Sequence, residues 1–142
     1  MNNAVKGLGE VVLRVNNIDR CKHFYIDVIG LELIKEFPGI VFLKIAEGVD
    51  GHTQILGLFQ ETMPTAFDQR KQTVSAEATS LHHFALEICL KDYHRELARL
   101  QSLCRDVRVA EHAWCQWRSI YVKDPEDNIV EFVCFDQAIE LV

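Results

Sequence analysis

The chain says the same thing twice. Gly9–Ile18 reads Gly-Glu-Val-Val-Leu-Arg-Val-Asn-Asn-Ile, and Leu81–Leu90 reads Leu-His-His-Phe-Ala-Leu-Glu-Ile-Cys-Leu. Aligned, Glu10 falls on His83, Leu13 on Leu86, Arg14 on Glu87 and Val15 on Ile88. Both stretches alternate as strands: Val11, Leu13 and Val15 share one face, as do Phe84, Leu86 and Ile88. Glu10 and His83 then sit on the opposite faces. Self-similarity of this kind marks one structural unit used twice. The first copy closes on Thr53–Phe59 and the second on Val130–Phe135, so the duplication sets out four polar residues, Glu10, Gln54, His83 and Glu131, as potential metal ligands.

Each copy predicts the order β-α-β-β-β. In the first, a strand over about Glu10–Val15 is followed by a helix over Asp19–Ile29, capped by Asn17 or Asp19 and stopped by Gly30. Strands follow over Leu31–Phe37 and Ile40–Ala46, with a Pro38-Gly39 turn between them, and then Gln54–Phe59. In the second, Phe84–Leu90 leads to a helix over Asp92–Leu103. Strands over Val107–Ala110, Arg118–Lys123 and Ile129–Phe135 complete it, the last two joined by an Asp124-Pro125 turn. The expected organisation is a single domain over 1–142, with units at 9–60 and 81–136 and a connector at 61–80. That connector is long for a compact domain; Met63 and Phe67 are its candidate anchors.

Charge and cysteines narrow the partners. A net charge of −6 disfavours nucleic acid, whose affinity comes from neutralising phosphates. No apolar run approaches the roughly 18 residues of a membrane helix, and the first residues lack the apolar core of a signal peptide. The five cysteines form no CxxC pair, which reads as reduced thiols in the cytoplasm.

The pattern resembles the vicinal-oxygen-chelate superfamily, which includes glyoxalase I, methylmalonyl-CoA epimerase, extradiol dioxygenases, and fosfomycin and bleomycin resistance proteins. The matching residues are Glu10-Val-Val-Leu-Arg-Val, Phe24-Tyr25 through Gly30-Leu31-Glu-Leu33, His83-Phe-Ala-Leu-Glu-Ile, and Arg118 through Asp124-Pro125-Glu-Asp-Asn128-Ile-Val-Glu131-Phe. Asp127 stands where the family's turn most often has Gly. The resemblance implies an α+β fold of two tandem βαβββ units forming a curved open barrel, often a homodimer. It implies a divalent metal (Zn, Ni, Co, Mn or Fe) held by Glu10, Gln54, His83 and Glu131. It also implies chemistry in which the metal polarises a carbonyl while Glu131, with Glu10 as second acid/base, moves the neighbouring proton.

The ligand types favour a glyoxalase I-like lyase or isomerase. An extradiol dioxygenase resembles two His and one Glu around iron, and here Glu10 fills a His position. A metal-free drug-binding module of the bleomycin-resistance kind is the main alternative, and a dioxygenase the second. Arg118 is a candidate for an anionic substrate group or a brace. His82, one residue from His83, is expected on the other face as a structural residue. A Glu within the apolar run Ile129–Phe135 is costly to bury unless it is paired or metal-bound.

Overall fold

The computed structural model describes residues 4–5, 7–67 and 81–142. Contacts divide the chain into two compact units, Met1–Thr73 and Val74–Val142. Most of the expected connector, including its Lys/Gln-rich stretch 69–72, lies outside the described residues. Of its start, Phe67 is exposed, while the Met63 sulfur lies close to Gly39.

The first unit has β1 (Glu10–Val15), α1 (Ile18–His23), β2 (Glu32–Phe37), β3 (Ile40–Glu47) and β4 (Thr53–Gln60). Its sheet runs β1-β4-β3-β2. β1 pairs with β4 in parallel, and the other neighbours are antiparallel. The return from β1 to a parallel partner needs a crossover, and α1 supplies part of it. The Asn17 side chain caps α1 by accepting from the Arg20 backbone N–H at 3.0 Å. The helix then continues as a π-helical turn, Phe24–Ile29. Gly30 ends it at φ 92°, where a residue with a Cβ would be strained. The backbone N–H groups of Gly30 and Leu31 both donate to the Tyr25 carbonyl.

One face of this sheet is apolar by alternation and lies beneath the helix. Leu13, Val15, Val41, Leu43, Leu56 and Leu58 are buried there, with Cys21, Tyr25 and Ile29 from the helical segment. Each full burial of such an aliphatic side chain stabilises by about 1.5–3 kcal/mol. Lys22 fastens α1 to β2 through Glu36 at 2.8 Å.

The second unit repeats the plan with β5 (Phe84–Glu87), α2 (Tyr93–Leu103), β6 (Arg108–His112), β7 (Trp117–Lys123) and β8 (Ile129–Phe135). The order is β5-β8-β7-β6, with β5 and β8 parallel. Leu86, Ile120, Val122, Val130, Phe132 and Cys134 are buried on one face, along with Tyr93 and Leu100 of α2. The Asp124 side chain accepts from the backbone N–H groups of Glu126 and Asn128, which closes the β7–β8 turn. The βαβββ order expected from the sequence is present in both units. Each sheet ends on its own edge strands, β1 and β2 or β5 and β6, so neither closes into a barrel by itself.

Candidate active site

In the second unit, the face of the sheet turned away from α2 collects the polar groups. Cross-strand pairing puts Ala85, Glu131, Tyr121 and Arg108 in one row, and Glu87, Val133, Ser119 and Ala110 in the next. Phe135, Trp117 and His112 form a third. Paired residues share a face, so Glu131, Ser119 and Tyr121 look out on the same side. Their neighbours Phe132, Ile120 and Val122 look toward the core.

Glu131 is the centre of this face. Its side chain is 5% exposed, and one carboxylate oxygen, Oε2, lies 3.2 Å from Nε2 of His83. The other, Oε1, accepts a hydrogen bond from the Ser119 hydroxyl. Burying a carboxylate is costly unless such partners replace water. Tyr121 adjoins it: the phenol is pushed above its ordinary pKa, first by burial, and the negative charge of Glu131 adds to this. The Tyr121 hydroxyl lies 2.9 Å from Nε2 of His112. A chain of hydrogen-bonding groups thus crosses the sheet from the β5 edge to the β6 edge.

The first sheet presents a different open face. Glu10 is exposed there and shares a row with Ile55 and Lys44. Gln54 does not join it. Glu10 pairs with Ile55, so Gln54, one residue earlier on β4, belongs to the opposite face with Leu56 and Leu58. This corrects the expectation that Gln54 and Glu10 converge. Counting positions along each repeat matches Gln54 to Glu131, but strand pairing does not. Leu13 pairs with Leu58, and its counterpart Leu86 pairs with Phe132. The counterpart of Glu131 is therefore Gly57. By the same register, Tyr121 corresponds to Phe42 and Ser119 to Ile40. The polar trio of the second sheet is Gly, Phe and Ile in the first. Around it, Phe37, Phe42 and Phe59 pack edge to face, with ring centroids 6.4 and 5.8 Å apart.

Arg118 was expected either to meet an anionic substrate group or to act as a brace. It alternates with Ser119 and so lies on the α2 side of the sheet. Its guanidinium donates to Asp136 at 2.6 Å and to Glu111, and it stands 6.0 Å from the Tyr93 ring centroid. Both partners are carboxylates, and the hydrogen bond to Asp136 above all holds Arg118 above its ordinary pKa; the same bond from Arg118 holds Asp136 below its own. Arg118 is a brace between β7, α2 and the C-terminal segment.

His82 was expected on the face away from His83, because adjacent strand residues alternate. β5 begins only at Phe84, and the two imidazoles instead meet at 2.6 Å between their Nδ1 atoms. Ser119 and Tyr121 were not singled out by sequence. Their signal was the alternation of Ser119 and Tyr121 with Ile120 and Val122.

As a test for metal, the imidazole Nε2 and carboxylate Oε2 are donors of the right kind for a divalent cation, close enough to share one. Gln54 does not fit. Among the described residues no group of three or more His, Cys, Asp and Glu side chains is placed to hold a metal ion.

A family model described as the Glyoxalase/Bleomycin resistance protein/Dioxygenase superfamily matches residues 7–132. The chain belongs to that superfamily. Among solved structures it is similar to a lactoylglutathione lyase from Agrobacterium tumefaciens, with 26% identity, a TM-score of 0.67, and coverage of 93% of this chain and 96% of that one. An integron cassette protein from the mobile metagenome of the Halifax Harbour sewage outfall is 24% identical, with a TM-score of 0.65 and coverage of 92% and 100%. The fosfomycin resistance protein FosX from Listeria monocytogenes is 17% identical, with a TM-score of 0.66 and coverage of 96% and 99%. These last two likenesses bear on the fold alone. No curated protein matches the chain by sequence. Among the described residues no helix is long and apolar enough to cross a membrane.

Proposed function

We propose that this chain is a glyoxalase I-like lyase or isomerase that moves a proton next to a carbonyl group of a small molecule. The observation that carries this reading is Glu131: a carboxylate buried on the open face of a sheet, with Ser119 on one oxygen and an imidazole beside the other. The likeness to a lactoylglutathione lyase at 26% identity supports it.

Ser119 ties down Oε1 and so leaves Oε2 as the oxygen that accepts a proton. His83, 3.2 Å from that oxygen, steadies it and can pass the proton on. Such a positioned base contributes on the order of 10²–10⁴-fold. His83 and Glu131 are the residues that would hold a divalent cation (Zn, Ni, Co, Mn or Fe), and a bound cation would polarise the carbonyl of the substrate.

Metal content of protein purified without chelator, measured beside His83→Ala, is the first test. Turnover of the adduct between a 2-oxoaldehyde and a thiol is the second. Near-stoichiometric metal lost in the variant, with turnover abolished in Glu131→Gln, is expected. Glu131→Gln turning over like wild type would overturn the assignment.

A second reading, a metal-free small-molecule binding module, is favoured by the open face of the first sheet, where Gly57, Phe42 and Ile40 replace the polar trio. It predicts no metal in either protein and no loss of ligand affinity in His83→Ala.

A further inference from the structure

The open face of the second sheet does not end at Glu131. Beyond the Ser119 row it carries Phe135, Trp117 and His112, one on each of three neighbouring strands. Trp117 is 40% exposed and Phe135 47%. A single exposed apolar residue needs no explanation. Two aromatic residues side by side on the face that carries a buried carboxylate offer a ligand apolar area and a polar anchor together. We propose that Trp117 and Phe135 are specificity-determining residues, a shelf for an uncharged aromatic group at the far end of the substrate. In placing the reacting end at Glu131 the inference rests on the proposed function; the shelf itself does not.

Position and charge select the occupant. At the rise of an extended strand, Trp117 lies about 7 Å along β7 from Ser119. Phe135 lies about 13 Å along β8 from Glu131 by the same rise. The Glu131 carboxylate narrows this gap. Glu131 pairs with Tyr121, yet its Oε1 takes the Ser119 hydroxyl, one row nearer the shelf. A substrate that presents its C–H to Oε2 therefore reaches the shelf with a group a few bonds away. Among the described residues of this face, that group meets no cationic side chain. Arg108 stands back in the Glu131 row, paired with Asp106 at 2.9 Å, and Lys123 lies one row further from the shelf. Glu87, exposed in the row of Val133 and next to the shelf, repels a carboxylate. His112 turns Nε2 back to the Tyr121 hydroxyl at 2.9 Å. An aromatic ring gains burial and offset or edge-to-face contact from Trp117 and Phe135. An anionic tail gains neither and faces Glu87.

The test compares two adducts of one 2-oxoaldehyde, with benzyl mercaptan and with mercaptoacetate, which differ in carrying a phenyl ring or a carboxylate. Wild type is expected to favour the benzyl adduct in kcat/KM. Trp117→Ala and Phe135→Ala are each expected to lower that preference about tenfold, and Trp117→Phe to keep most of it. The preference is a ratio within one preparation, so a variant that folds less well does not alter it. A wild type that favours the mercaptoacetate adduct would overturn the inference, as would a preference unmoved in both alanine variants. If wild type turns over neither adduct, the proposed function fails by itself, and binding decides the shelf. Trp114→Phe leaves Trp117 as the one indole of the chain. Its emission is expected to shift saturably with the benzyl adduct and not with the mercaptoacetate adduct; an equal response to both, or to neither, would overturn the inference. Emission that moves with protein concentration instead of ligand would give the shelf to a second copy of the chain and overturn it too.

Discussion

Replacing Ser119 by Ala removes one hydroxyl from a site that cannot readily be rehydrated. Ser119 is fully buried, and the carboxylate it serves is 4% exposed as a residue. A hydrogen bond to a charged acceptor contributes about 1.5–3 kcal/mol, and removing its donor leaves Oε1 of Glu131 short of a partner. The volume lost is a single oxygen, so the cavity penalty is small. Ser119→Ala should therefore cost about 2 kcal/mol, a substantial part of the roughly 5–15 kcal/mol that holds an ordinary domain together. The same substitution in a Glu131→Gln background should cost about half as much, since a neutral acceptor makes a bond about half as strong. Urea unfolding of the four proteins gives the double-mutant cycle. Equal costs in the two backgrounds would show that the charge of Glu131 plays no part in the bond. A cost below about 0.5 kcal/mol, the range of ordinary surface changes, would remove Ser119 from the site.

Gln54→Ala should leave metal stoichiometry unchanged while His83→Ala loses it, because Gln54 lies on the sheet face opposite Glu10; loss of metal in Gln54→Ala would refute the register argument. Arg118→Met should lower the melting temperature yet spare turnover, and a fall in turnover without loss of stability would restore Arg118 to the substrate. Acid should act through Asp136. Its hydrogen bond from Arg118, then that from the Ala138 backbone, hold its carboxyl below the usual value, about 3.9. The unfolded chain therefore binds this proton more readily, so the stabilisation is complete above about pH 5 and is lost as pH falls through 4 and below. Wild type should lose more stability than Asp136→Asn between pH 5 and pH 3, and parallel curves would exclude the mechanism.

Much of the fold was legible because it is local. The alternation of Val11, Leu13 and Val15, the capping residue Asn17 and the Gly30 stop each act within a few residues of themselves. Repetition then turned one unit into two, and it marked His83 and Glu131, which the second sheet does bring together. Gln54 was misplaced for a specific reason. Counting residues along a repeat ignores how loops and bulges absorb length, and a shift of one residue sends a side chain through the sheet. β3 carries such an irregularity between Lys44 and Ala46, opposite Ile55 and Gln54. Arg118 was ambiguous because its partners, Glu111 and Asp136, lie on either side of it in sequence and only the fold gathers them. The placement of His82 depended on where β5 starts, and strand ends are the least legible feature of a sequence.

Gly57 gives the duplication a history as well as a shape. A gene copied in tandem begins with two of everything, and here one copy holds a carboxylate, a hydroxyl and a phenol where the other holds hydrogen, a butyl group and a benzyl ring. The halves have become specialists. On the proposed function the second is constrained at its carboxylate, hydroxyl and phenol, whereas the first is free at the matching places. Variation among proteins descended from the same duplication should therefore gather at the places of Ile40, Phe42 and Gly57 and thin out at those of Ser119, Tyr121 and Glu131.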